Sequence, residues 1–535
     1  MEAFFHHLTI MPIVVPLLAG ILLTLIEDRS AKLAVNIGAT VILVGLACTL
    51  LVSASDGSQH IATYLLGDWA APFGIVLVAD RLSALMVALT SVLALASIVF
   101  ASARWHRAGP HFHSLFQFLL MGLNGAFLTG DLFNLFVFFE VLLAASYGLV
   151  LHGSGTERVR AGMQYIAVNL ATSSLFLIGV SLIYSVTGTL NIADLAVRIP
   201  LVPEANRMLL EAGAAILGVA FLVKAGMWPL SFWLPTAYAA AAPPVGAIFA
   251  IMSKVGIYVI LRLSLLLFGD GAAASAHFGD QWLLYGGMAT IAFGTIGVLA
   301  SQGLARLAGF SVLVSSGTLL AMIGYENAGV TAGALFYLVS STLALSCLYL
   351  LVELVERGRN AAAGVLALTL EAFGDDEEPV HEEEIGIATP RTLAILGAAF
   401  ACCALLLAGM PPLSGFLAKF AMISAMFNLE GLGTSGTIPA ESWAVAAFLV
   451  LSGLATTIAL MRTGISIFWV TFDGEVPRVR GVEMAPVLLL LGLCLLLTLL
   501  AGPAMSYMET TAQYLHQPGN YIAGVLGNPA GGKLQ

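Results

Sequence analysis

The sequence predicts an all-α integral membrane protein with about fourteen transmembrane helices. Three observations predict it. Of the 535 residues, 59% are hydrophobic and 10% charged, against ~25% charged in an ordinary soluble domain. Apolar runs of about 20 residues, the length that crosses a bilayer as a helix, recur along the whole chain. The basic residues between those runs fall mostly on one side once the runs are counted as alternating spans.

In chain order the runs place spans at about 8–26, 33–53, 82–103, 112–130, 132–151 and 163–186. The seventh runs from 209 to 228 with a continuation to about 241. Further spans follow at 244–268, 282–302, 308–325, 329–355, 391–410 with a continuation to 429, 441–461 and 483–505. With the N-terminus outside, thirteen Arg and Lys lie in inward loops (Arg29 and Lys32 through Arg478 and Arg480) and five on the outward side, Arg262 and Lys533 among them. Both termini are then expected outside. An odd number of spans would scramble this asymmetry. The N-terminal "MEAFFHH" lacks a basic n-region and precedes a run long enough to span, so it reads as a retained helix.

Two spans read as broken. One is "FLVKAGMWPLSFWLPTAYAAAAPP", with Pro229; the other is "LLLAGMPPLSGFLAKFAMI", with Pro411 and Pro412. Proline removes a helix hydrogen bond and clashes with the preceding turn. In lipid the freed carbonyls must be satisfied by protein or trapped water. A pair of such spans in two halves of a chain points to internal repeats and a site near mid-membrane.

Four ionisable residues fall inside spans: Glu140, Lys224, Lys254 and Lys419. Each costs ~2.5–3.5 kcal/mol or more at mid-helix and needs a pairing, water or a function to offset it. One reading is structural: the four only pair or snorkel. The other is a proton path, because a buried lysine can load and release a proton near neutral pH. An opposite charge near 4 Å contributes ~4 kcal/mol at an effective dielectric of 20, or about three decades of proton occupancy. Glu140 is then an acid placed to tune a base.

The stretches 124–149 (around Glu140), 223–262 (the first break through Lys254) and 408–420 (the second break and Lys419) resemble the antiporter-like subunits shared by Mrp-type cation/proton antiporters and respiratory complex I. The resemblance covers about residues 1–505. The run around Glu140, the short "RTGISIFWVTFDGE" (462–475) and the length are most similar to the D subunits of the multisubunit Mrp (Mnh/Pha) Na⁺/H⁺ or K⁺/H⁺ antiporters. It implies two inverted five-helix repeats, each with a proline-broken helix. The expected domains are N-terminal helices 1–111, a first repeat 112–268, a second repeat 269–475, and a last helix with its tail, 476–535. It also implies that Glu140 and Lys224 form the family's glutamate–lysine pair, that Lys254 is its bridging residue and that Lys419 is the lysine of the second broken helix.

The sequence departs from that pattern in one span. Where many relatives carry histidines and a lysine, residues 333–351 offer Tyr337, Ser341 and Leu345. Hydroxyls do not titrate near neutral pH but order water. The link from Lys254 to Lys419 is then expected through water with Ser311, Ser315, Ser316, Tyr337, Ser340, Ser341 and Thr342. Helix packing is the competing role for these side chains.

Other features read as bland. The histidines of "HRAGPHFH" (106–113) read as a solvated or subunit-facing loop, since no carboxylate or cysteine completes a metal site. Asp131 reads as a helix cap. The acidic loop 375–384 reads as a solvated linker, and the tail after 505 as turn-rich surface. Five scattered cysteines form no CxxC pair, which argues against a disulfide framework or an iron–sulfur cluster. No nucleotide-binding glycine loop or catalytic triad is present. No cofactor, metal or nucleic acid is therefore expected, and the chain reads as no enzyme.

The expected function is a proton-translocating subunit of a monovalent cation (Na⁺ or K⁺)/proton antiporter. The setting is a bacterial cytoplasmic membrane, with further antiporter subunits as partners and lipid around them. Because no second carboxylate is expected in a span, the metal cation is expected to cross elsewhere in the complex. The alternatives are a proton-pumping subunit of complex I or a membrane hydrogenase, and a structural scaffold.

Overall fold

The computed structural model describes residues 7–55, 61–153, 155–371, 385–387, 390–427, 438–468, 475–477 and 479–527. The acidic loop 375–384 and the last eight residues lie outside them.

The chain is a helical bundle. The helices are α1 (Met11–Leu25), α2 (Arg29–Ser55), α3 (Arg81–Ala101), α4 (Phe112–Leu128), α5 (Leu132–Val150), α6 (Thr156–Thr187), α7 (Ile192–Arg198), α8 (Glu204–Ala225), α9 (Leu234–Ala240), α10 (Pro243–Leu267), α11 (Asp280–Ala300), α12 (Leu304–Ile323), α13 (Ala328–Glu371), α14 (Pro390–Ala408), α15 (Ser414–Phe427), α16 (Ala440–Phe468), α17 (Gly481–Leu499), α18 (Ala501–Leu515) and α19 (Pro518–Leu526). Among the described residues, twelve helices are long and apolar enough to cross a membrane. Adding the shorter apolar α1 and α4, and counting α14 and α15 as one broken span, gives fourteen. Two short antiparallel two-stranded sheets sit in connections: β1 (Ala62–Leu65) with β2 (Val76–Ala79), and β3 (Ile385–Ile387) with β4 (Glu475–Pro477).

The core runs through α10 and α13, whose apolar stretches are wholly buried, flanked by α12 and α3. α3 starts at a reciprocal capping box between Asp80 and Ser83. The same Asp80 carboxylate accepts both terminal nitrogens of Arg262 in α10, at 2.7 and 2.9 Å. Arg262 also lies against the rings of Tyr258 and Tyr521. This buried pair ties the end of α10 to the start of α3, and the C-terminal α19 closes over it.

Both predicted breaks are present, and they fall in matching sequences, AGMWPLS (225–231) and AGMPPLS (408–414). Each helix ends on a left-handed glycine, Gly226 at φ 77° and Gly409 at φ 75°, a conformation that glycine adopts without Cβ strain. At the first break the Trp228 amide donates to Thr290 Oγ1 of α11 at 2.9 Å. Arg158 donates to the Ala240 carbonyl at 2.7 Å, near the end of α9. At the second break Gly415 approaches the Leu406 carbonyl so closely that a Cβ would overlap it. The first break thus has protein partners for its freed backbone groups, as a dry environment requires.

Three expectations need correction. The tail after 505 is two helices, not turns; α18 packs on α13 and α19 on α7. Its apolar residues, Met508, Ala512, Tyr521 and Val525, are buried on the same chain. The histidines of 106–113 are not all solvated. His111 is exposed, but His106 and His113 are buried with ring centroids 5.7 Å apart, and His113 bonds Asn36 of α2 at 2.9 Å. Burial, with Arg107 and Arg29 nearby, holds His106 below the usual histidine pKa. Burial likewise lowers His152, although its bond to the Trp105 carbonyl opposes the shift. Finally, further carboxylates do lie on spans, Glu211, Glu353, Glu441 and Glu483. Of these, Glu353 of α13 and Glu483 of α17 are largely buried at one end of the bundle, and Arg357 bonds both at 2.6 and 2.9 Å. They are neutralised there and not free to ligate a cation.

Candidate functional site

Lys224 sits in the last turn of α8, two residues before Gly226. It is buried, and its ammonium donates to Asn169 Oδ1 of α6 at 2.7 Å. The Asn169 amide is oriented because its Nδ2 donates to the Tyr165 carbonyl at 2.8 Å, which leaves Oδ1 toward the lysine. The Lys224 ammonium also lies 5.9 Å from the centre of the Phe139 ring.

Glu140, on α5, is half-buried and accepts a hydrogen bond from the Ser173 hydroxyl. Ser173 lies one turn beyond Asn169 on the same face of α6. No direct ion pair joins Glu140 and Lys224 among the described residues; α6 gives each one partner, Ser173 to Glu140 and Asn169 to Lys224. The expected glutamate–lysine pair is therefore not in direct contact. Sequence reasoning passed over Asn169 and Ser173, although polar residues four apart in "VNLATSSLF" were the available signal.

Lys254 is in the middle of α10, with no exposed surface. Its ammonium donates to Ser315 of α12 at 2.8 Å, and the Ser315 hydroxyl donates to Ser341 of α13 at 3.0 Å. Beside them is a cavity of about 20 Å³ lined by Ser311, Ser315, Tyr337, Ser340, Ser341 and Thr456, with Gly415 of the second break at its edge. A single water needs roughly 10–15 Å³ of such space and two or more polar partners, so the cavity has room for one. Beyond it, Ser340 bonds Ser414 at the start of α15 at 2.8 Å. Ser316 and Thr342 stand apart from this group. Thr342 bonds the Leu338 carbonyl, and the buried Ser316 hydroxyl has no hydrogen-bond partner among the described residues.

Lys419, on α15, reaches back across the second break. Its ammonium donates to the Ala408 carbonyl, the last of α14, at 3.2 Å, and to Leu449 of α16 at 3.4 Å. Gly453 makes room for it: a Cβ there would lie 2.7 Å from the Ala408 oxygen and 3.1 Å from the Lys419 nitrogen. The two break lysines are thus not equivalent in sequence, since Lys224 precedes its break and Lys419 follows its own. Both nevertheless deliver a cation close to a helix interruption.

Lys224 and Lys254, both buried, and the half-buried Lys419 and Glu140 thus lie on α8, α10, α15 and α5, with an amide and hydroxyls of α6, α12 and α13 among them. The transmembrane family described as NADH:quinone oxidoreductase/Mrp antiporter matches residues 129–437, which contain all four charged residues. The chain belongs to this family. Over its whole length it is similar to the D subunits of antiporters. The probable K(+)/H(+) antiporter D subunit of Rhizobium meliloti is 59% identical over 99% of this chain and 100% of that protein. The Na(+)/H(+) antiporter D subunit of Alkalihalophilus pseudofirmus is 33% identical over 97% and 99%. Among solved structures, a chain of the Mrp complex from Dietzia sp. superposes with a TM-score of 0.83 at 27% identity, covering 98% of this chain and 99% of that one.

Proposed function

We propose that this chain is a proton-translocating subunit of a multisubunit monovalent cation/proton antiporter in a bacterial cytoplasmic membrane, with both termini on the outer side. One observation carries the reading. Each of the three lysines faces a neutral acceptor (Asn169 Oδ1, Ser315 Oγ, the Ala408 carbonyl) and not a carboxylate. A scaffold would pair its buried charges, because an unpaired buried charge is costly. A lysine on a neutral oxygen is not locked in its charged form, and so suits a site that gains and loses a proton.

Protons pass between Lys224, Lys254 and Lys419, with the charge of Glu140 biasing Lys224. The Ser315–Ser341 pair and a water in the adjoining cavity bridge the Lys254 and Lys419 halves. The residues 112–268 and 269–475 act as two repeats, a division supported by the shared AGM-x-PLS sequence at their breaks. The chain is no enzyme. Full-length similarity to the D subunits of antiporters favours this reading over a redox-driven pump.

Glu140 is only half-buried and lies on a helix whose neighbours Phe133 and Val137 are exposed. A carboxylate facing lipid there would be costly, so a neighbouring protein of the complex covers it. The cation, Na⁺ or K⁺, crosses through another subunit or an interface. The deciding experiment is Na⁺- and K⁺-dependent proton flux in everted vesicles from cells expressing the full gene set. Lys224→Ala and Glu140→Ala should abolish flux with the complex still assembled; loss of assembly instead would favour a scaffold.

A further inference from the structure

The link between α10 and α11 meets the turn between α12 and α13 at one end of the bundle, in a cluster that the proton path does not use. His277 is its centre. Its Nδ1 faces Asp280 Oδ2 at 3.3 Å and, closer still, Glu326 Oε2; its Nε2 faces Asp270 Oδ1 at 3.3 Å. The donor atoms of His277, Asp280 and Glu326 lie within 4.8 Å of one another. Asp280 and Glu326 are mostly buried, at 14% and 18% side-chain exposure.

The tautomer decides the chemistry. With Nε2–H donating to Asp270, the imidazole turns the lone pair of Nδ1 toward two carboxylates. Three electron-pair donors then converge on one point, where either a proton or a metal ion neutralises them, and the two compete for the site. A carboxylate on the far nitrogen is also the usual support of a metal-bound histidine, fixing its tautomer and raising its basicity. One imidazole nitrogen with two carboxylate oxygens suits a borderline divalent ion, tetrahedral with water in the fourth position.

We propose that His277 Nδ1, Asp280 and Glu326 bind one divalent ion of the zinc class, with Asp270 orienting the imidazole. The site joins the connection that follows α10 to the end of α12. These are the helices that carry Lys254 and Ser315, so the ion braces the pair across which that hydrogen bond runs. The site does not depend on the proposed proton path and is tested apart from it.

The test is Zn²⁺ titration by calorimetry of the purified, chelator-treated antiporter complex, with wild-type chain or with His277→Ala/Glu326→Gln. The expected result is one Zn²⁺ fewer per copy of the chain in the double variant. Asp270→Asn should bind with about 10–100-fold weaker affinity, as loss of an orienting carboxylate typically does. Zn²⁺ should raise the unfolding temperature of wild type more than that of the variant. If the double variant does not assemble, Glu326→Gln alone preserves shape and is read in the same way. Equal stoichiometry and affinity in wild type and variant would overturn the proposal.

Discussion

Asn169 is the sharpest place to perturb the proton path. It is 1% exposed and supplies the acceptor for the Lys224 ammonium at 2.7 Å. Asn169→Ala removes that acceptor where bulk water cannot replace it. A hydrogen bond to a charged group contributes about 1.5–3 kcal/mol. If the proton-loaded Lys224 is an obligatory intermediate, its population falls by about 10- to 150-fold, at one decade per ~1.36 kcal/mol. Asn169→Asp acts in the opposite sense. A carboxylate near 4 Å adds ~4 kcal/mol to the loaded state at an effective dielectric of 20, so proton release slows by about a thousandfold. Both variants should therefore lose cation-dependent proton flux in everted vesicles, one by emptying the lysine and one by locking it. Assembly, followed by co-purification of the partner subunits, should be retained. Wild-type flux in an assembled Asn169→Ala complex would refute the claim that Lys224 loads against this amide.

Ser315→Ala should slow flux by about 10- to 150-fold on the same hydrogen-bond argument, while Ser315→Thr, which keeps the hydroxyl, should stay near wild type in the same vesicle assay. Asp80→Asn leaves Arg262 buried without its counter-charge. Breaking such a pair costs about 3–5 kcal/mol, so the variant complex should unfold at lower temperature and lose protease protection of α18 and α19. Gly453→Ala places a methyl against Lys419 and the Ala408 carbonyl and should reduce flux with normal assembly. Acid should loosen the α3–α4 and α5–α6 links. His106 and His152 are held below their unfolded pKa, so their contribution is present above about pH 6.5 and is lost as pH falls through the lowered values. Hydrogen exchange of 102–111 and 151–155 should rise between pH 7.5 and 5, and His152→Gln should blunt the change.

How much of this was legible in the sequence depended on cost. A charge or a proline inside an apolar run is expensive wherever the run ends up, so Glu140, the three lysines and Pro229, Pro411 and Pro412 marked themselves without any fold. The span count followed from run length and the side on which basic residues collect. What could not be read were partners. Asn169 and Ser173 carry no charge and looked like ordinary span residues until α6 was packed against both α5 and α8. The histidines of 106–113 looked solvated because nothing local shows that α2 covers His113. The tail looked irregular because its glycines and proline punctuate two helices that are held mainly by packing on the rest of the chain.

By itself, then, the sequence determined which segments cross the membrane, where two of them break and which ionisable groups they carry. Each of those is a local free-energy penalty that lipid does not forgive. Only the tertiary structure decided which spans are central and which neutral atom each lysine meets. It also decided that His277 and Glu326, forty-nine residues apart, converge with Asp280. The physical reason is that in a bilayer the lipid-facing and protein-facing sides of a helix are both apolar. Periodicity therefore says little about which face turns inward, and the pairing of polar groups is settled by how the helices pack.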